Sequence, residues 1–348
     1  MRIRWFLLAA LLPVLGGCAT LGYYSQAVRG QIDLLRRATP IEQELARTSV
    51  PEALKAKLRA ALRIRAFASR ELALPDNGSF RSYADLGRPY VLWNVFAAPE
   101  FSIEPVTSCF PIAGCVSYRG YFGEADAQAA GAAWRERGYD VFVGGVPAYS
   151  TLGWFDDPVL STFIHYPEAE LARLMFHELA HQLVYVRDDT RFNESFAVTV
   201  ERAGVERWLA QNGNDHDRAS YARLRAMRRG FVALLVKYQA ILKQYYRQDL
   251  PPEEMRLGKA QRFAEMQEDY RRLKASWGGF AGFDRWFAGT PNNATLASVA
   301  LYNEFVPAFT ALLAREGGDL PRFYAAVKQL AQLPKDERDA RLRSEIEN

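Results

Sequence analysis

The chain has 348 residues with a formal charge of +4, and 49% of them are hydrophobic and 24% charged. Those proportions are ordinary for a globular protein and sufficient for one large core or two modest lobes, so a disordered or fibrous chain is excluded. So slight a net charge gives no electrostatic footing for nucleic acid as a partner.

Residues 1–17 read as a leader. Met1-Arg2-Ile3-Arg4 is basic, Trp5 to Leu15 is almost wholly apolar, and Gly16-Gly17 precedes Cys18. A charged start, a short apolar run and small residues before a cleavage point describe a secretory signal, too short for a membrane span. Leu15-Gly16-Gly17-Cys18 resembles a bacterial lipobox, which implies cleavage before Cys18 and lipidation of its thiol; the alternative is an ordinary leader with a chance cysteine. Ala19 resembles the pattern for outer-membrane sorting. The expected address is the bacterial cell envelope, at the periplasmic face of the outer membrane, through an N-terminal lipid anchor. Losing Arg2 and Arg4 with the leader brings the charge closer to zero.

The remainder divides into a helical region 18–75, an α+β region 76–215 and a helical region 216–348, expected to form one compact unit. Helices fill Ser25 to Leu74, with apolar stripes at Ile32, Leu34, Leu35 and at Leu54, Leu58, Leu62, Ile64, bounded by Pro40 and Pro51. Pro75-Asp76-Asn77-Gly78 is a turn and Tyr90 to Phe96 a strand. Cys109 and Cys115, with five residues between them, suggest a small disulfide loop turned by Pro111 and Gly114; two buried thiols are the alternative. Ala125 to Arg137 reads as a helix stopped by Gly138, and Tyr139 to Val143 as a strand. Val146 to Phe155 looks extended, and its Pro147 and Gly153 place it at a sheet edge.

A helix is expected from Pro167, with Glu168 and Glu170 at its positive end. Leu171, Leu174, Met175, Phe176, Leu179, Ala180 and Leu183 cover most of its circumference, so it is a buried helix. Further helices are expected from Asn193 to Leu209, from Arg218 to Tyr246 and from Glu253 to Leu273. Arg218, Arg223, Arg225, Arg228 and Arg229 make the second of these basic at its start; a solvated face or contact with anionic lipid accounts for them.

The buried helix carries the chemistry. His177-Glu178-Leu179-Ala180-His181 sets two imidazoles one turn apart on one face, within reach of one zinc ion, with Glu178 beside the open position. The chain has only four histidines. Glu194, at the start of the following helix, is the candidate third ligand; a carboxylate serving only the helix dipole is the alternative. Glu201, seven residues on, can accept a hydrogen bond from a ligand histidine or be merely solvated. The expected cofactor is one Zn2+ per chain, which brings bound water to a pKa near 7. The spacing alone implies a metallohydrolase, in which Glu178 takes the proton as general base and returns it to the leaving group. Tyr302, Tyr149, Tyr166 and His165 are candidate donors to the oxyanion. The segment from Ala148 to Phe155 could hold a peptide substrate by strand addition.

The two blocks His177-Glu178-Leu179-Ala180-His181 and Asn193-Glu194-Ser195-Phe196-Ala197, with Glu201, resemble the gluzincin metallopeptidases, the second being close to the Asn-Glu-Gly-Phe-Ala block of aminopeptidase N-type enzymes. The chain also resembles a family of bacterial lipoproteins called putative aminopeptidases. That resemblance is carried by Tyr23 to Arg37, Cys109 to Cys115 with Tyr118 to Phe122, Thr151 to Pro158, and Asn292-Asn293-Ala294. It implies an α+β, mostly helical fold with a gluzincin-like core, in which a small mixed sheet and its edge strand lie beside the motif helix, and a zinc peptidase activity. Two features depart from the aminopeptidase N pattern. Only twelve residues separate His181 from Glu194, so the motif helix must end soon after Leu183, and no Gly-x-Met-Glu-Asn segment is present to capture a free amine. A lipoprotein with a non-catalytic metal site, or a metalloamidase acting on peptidoglycan peptides, are the other readings.

Overall fold

A computed structural model describes residues 21–110, 114–300 and 304–347. The leader, Cys18, Pro111 and Tyr302 lie outside the described residues. The fold is α+β and mostly helical. Among the described residues, no helix is long and apolar enough to cross a membrane.

Residues 21–37 form the first helix, α1. Its faces differ from the expected stripe: Leu34 is buried, but Ile32 is 42% exposed. Ile32 belongs instead with exposed Leu21, Tyr24 and Val28. Their spacing of three, four and four residues places all four on one side, opposite Leu34. Two helices follow, α2 (Ile41–Ala46) and α3 (Glu52–Leu72), separated near Pro51 as expected.

Two small sheets come next. Strands β1 (Thr39–Pro40), β2 (Ser82–Ala84) and β8 (Val159–Leu160) form a mixed one, β2 pairing antiparallel with β1 and parallel with β8. The other is antiparallel, in the order β6 (Arg119–Tyr121), β3 (Leu92–Ala98), β7 (Asp140–Val146). The central β3 is buried on both faces. Trp93 and Val95 meet Ala127 of α4 (Glu124–Arg135), while Phe96 and Ala98 meet Ala294 of α10 (Asn293–Ala300). This is the period-two alternation of a strand sandwiched between helices. Strands β4 (Ser108–Phe110) and β5 (Gly114–Val116) make a hairpin in which Cys109 and Cys115 are paired and joined by a disulfide. Gly114 has φ +74°, where glycine is at no steric cost.

The expected edge strand over 146–155 is not formed. β7 ends at Val146, and Leu152 (φ 58°) and Gly153 (φ 84°) turn the chain. The cause is Asp157, whose carboxylate accepts from the Thr151 amide at 2.9 Å and the Ser150 hydroxyl at 3.4 Å, an alternative to a sheet ladder. Burial pushes Asp157 up from 3.8 to about 6. A carboxyl raised in the folded state contributes stability in full below about pH 3.8 and loses it as pH rises through about 6. D157N should therefore gain on the wild type between pH 4 and pH 7.5, by up to about 3 kcal/mol. Urea unfolding at the two pH values measures this; an equal difference at both would refute it.

The remaining helices are α5 (Glu168–Leu183), α6 (Thr190–Asn212), α7 (Asp215–Tyr245), α8 (Pro252–Ser276), the short α9 (Asp284–Phe287), then α10, α11 (Val306–Arg315), α12 (Leu320–Ala331) and α13 (Lys335–Glu347). α5 and α6 pack as an antiparallel hairpin, with Arg173 opposite Glu201 and His181 opposite Glu194. Gly204 allows the close approach, since a Cβ there would stand 2.7 Å from Phe176 and 2.8 Å from Leu72. Phe67 of α3 then packs on Phe176 of α5 and Trp208 of α6. One apolar cluster runs from Leu34 through these helices to Phe309, Phe323 and Leu342. A second lies between α7 and α8, around Leu235, Tyr238 and Met266.

Candidate metal centre

α5 is buried on the side of Leu171, Ala172, Met175, Phe176, Leu179 and Ala180, and turns His177, Glu178 and His181 towards a cavity of about 830 Å³. It ends at Leu183, as the short return to Glu194 requires. Asn193 shapes that return: its side-chain oxygen accepts from the Val186 amide and its amide nitrogen donates to the Val186 carbonyl, both at 2.7 Å. Asp189 caps α6 by accepting from the Phe192 amide at 3.2 Å. The cap starts α6 three residues earlier than the sequence suggested, at Thr190. Glu194 is therefore within the first two turns, facing back across α5.

Three donors converge. His177 Nε2 and His181 Nε2 are 3.1 Å apart; Glu194 places Oε2 at 3.3 Å from the first and Oε1 at 3.8 Å from the second. One ligand atom from each lies within 4.8 Å of the others, so together they could hold one metal ion. Among the described residues, His181 Nδ1 and Glu194 Oε2 are buried without a hydrogen-bond partner. Two imidazole nitrogens that face each other beside a buried carboxylate form a donor set suited to a shared cation.

Behind these donors, Glu201 Oε2 lies 3.1 Å from His177 Nδ1 and accepts from Arg173 Nη1 at 2.9 Å. Arg173 also donates to Glu170 at 2.9 Å, and Arg228 donates to the same Glu170 oxygen at 2.9 Å. Burial opposes ionisation of Glu201, but Arg173 and His177 outweigh it and pull the carboxyl down to about 2. Burial would lower His177, yet Glu194 and Glu201 together raise it to about 10. His181, with less compensation for burial, falls to about 4. Burial is also the largest influence on Glu178, which rises to about 7, where a carboxylate can both take and return a proton.

Of the expected oxyanion donors, Tyr149 lines the cavity, with its buried hydroxyl unpartnered among the described residues. His165 and Tyr166 do not line it; His165 is exposed, and the Tyr166 carbonyl instead accepts from Lys57 at 2.7 Å. Tyr118 and Tyr185 line the cavity and were not among the expected donors. Burial, with Glu194 next, raises the Tyr118 hydroxyl. Arg173 was missed as well, though its place one turn before His177 on the same face was the available signal. The basic start of α7 is not simply a solvated face: Arg225 pairs with Glu206 and Arg228 with Glu170, and both line the cavity with Arg229.

No curated protein and no solved structure matches the chain significantly. The family described as "Putative aminopeptidase" matches residues 22–342, nearly the whole chain and all of the site, and the chain belongs to that family.

Proposed function

We propose that the protein is a membrane-anchored zinc metallopeptidase, with the aminopeptidase activity its family name denotes. The observation that carries this reading is the convergence of His177, His181 and Glu194 on one point of a cavity that Glu178 also lines. Zinc bonds its nitrogen and oxygen ligands at about 2.0–2.2 Å, which spaces the donors of a tetrahedral site by roughly 3.3 Å. The separations of 3.1, 3.3 and 3.8 Å fit that spacing. When bound, zinc supplies a Lewis acid that polarises a carbonyl and makes water an effective nucleophile near neutral pH. Glu178 takes a proton from that water and delivers it to the leaving amine. Glu201, held by Arg173, fixes the His177 ring and its tautomer. Tyr149 is the donor available to the developing oxyanion.

Two measurements test the reading: the zinc content of the purified chain, and cleavage of matched peptides with free and N-acetylated termini. One zinc per chain and cleavage of the free peptide alone are expected. Equal cleavage of both would remove the aminopeptidase part, and hydrolysis undiminished after complete zinc removal would remove the metal. The anchor is supported by Cys18 lying three residues before Leu21 and the exposed apolar side of α1. A Cys18→Ser chain should leave the membrane fraction; unchanged retention there would count against lipidation.

A further inference from the structure

One wall of the cavity is cationic. Arg173 comes from α5, Arg202 from α6, and Arg225, Arg228 and Arg229 from one stretch of α7. Their carboxylate partners are shared. Glu170 serves both Arg173 and Arg228, and Glu201 serves both Arg173 and His177. Arg225 pairs with Glu206 through one terminal nitrogen, while its Nε is buried without a hydrogen-bond partner among the described residues. Arg229 is exposed at the same wall. Arg225, Arg228 and Arg229 thus bring three guanidinium groups to this side, where among the described residues the carboxylates of Glu206 and Glu170 pair with the first two.

We infer that this wall is a carboxylate-binding subsite, formed chiefly by Arg225, Arg228 and Arg229, which selects peptides carrying an acidic group. The guanidinium fork matches a carboxylate with two parallel hydrogen bonds, so the ligand class follows from the donors. Helix geometry sets its distance from the metal donors. Glu170, whose carboxylate holds Arg228 at 2.9 Å, precedes His177 by two turns, about 10 Å. An extended peptide advances about 3.3–3.6 Å per residue, so the acidic group lies roughly two to three residues from the bond cleaved. Either a C-terminal carboxylate or an Asp or Glu side chain at that position supplies it. The inference rests on the cavity being the peptide cleft of the enzyme proposed above.

Binding to a zinc-loaded E178Q chain, read by calorimetry, separates the two claims. The probes are trialanine, trialanine amide and Ala-Ala-Glu amide. Trialanine should bind roughly 10–100-fold tighter than its amide if the terminus is read, and Ala-Ala-Glu amide should gain similarly if the side chain is. The preference should shrink with added salt and disappear in a chain that also carries Arg225→Gln and Arg229→Gln. It should survive in one carrying Arg271→Gln, which alters an exposed arginine of α8 outside the cavity. Equal affinity for all three probes, or a preference unchanged by the paired substitution, overturns the subsite. A wild-type chain that cuts none of these peptides while E178Q keeps the preference would instead overturn the peptidase reading and leave the subsite standing.

Discussion

An E178Q chain should hold zinc at the wild-type stoichiometry and lose peptide hydrolysis by about 10²- to 10⁴-fold. Glu178 lies beside the converging donors but is not among them. Glutamine matches it in size, so the metal site should persist. What goes is a carboxylate whose burial raises it to about 7, poised to exchange a proton near neutrality. E194A should behave differently, since it removes a candidate ligand: metal binding and activity should fall together. Zinc analysis alongside kcat and KM for both variants distinguishes the two roles. An E178Q chain with full activity would rule out the mechanism, and one that had lost its metal would make Glu178 structural.

The contrast between those two residues also shows what the sequence could convey. His177, Glu178 and His181 share a helical face by local geometry alone, and the apolar positions around them already required a buried helix. The bounds of α5 follow from equally local signals, Pro167 at one end and the short return to Glu194 at the other. The position of Glu201 was accessible for the same reason, two helical turns from Glu194. Orientation across the tertiary fold was not accessible. Arg225 and Arg228 looked like a solvated charge run because nothing local says that Glu206 and Glu170 stand opposite them. Val146 to Phe155 looked extended because Asp157, which draws the Thr151 amide out of any ladder, acts through a turn that composition does not reveal. Ile32 was assigned to the wrong face of α1, where the two residues from Ile32 to Leu34 turn about 200° and so reverse burial.

The C-terminal helix α13 supports the start of α6 through Arg338. Asp189 caps α6 only five residues before Glu194, and its other oxygen accepts from Arg338 Nη2 at 2.6 Å and Nε at 3.1 Å. Both residues are buried, Asp189 at 3% exposure and Arg338 at 4%. Lys335 approaches the same oxygen at 3.3 Å. Removing either member of a buried pair strands the other, at a cost of about 3–5 kcal/mol, and D189A also loses an N-cap contributing roughly 1 kcal/mol. D189A and R338A should each lower the unfolding free energy on that scale. In D189A the first turn of α6 should also loosen, so zinc affinity falls although no ligand has been touched. The D189A/R338A double variant should be far less destabilised than the sum of the two, because neither charge is then buried alone. Urea unfolding of the four chains, with zinc titration of each, measures both effects. Additive losses would mean that the pair does not act as a unit, and unaltered zinc affinity in D189A would mean that Glu194 keeps its place without the cap.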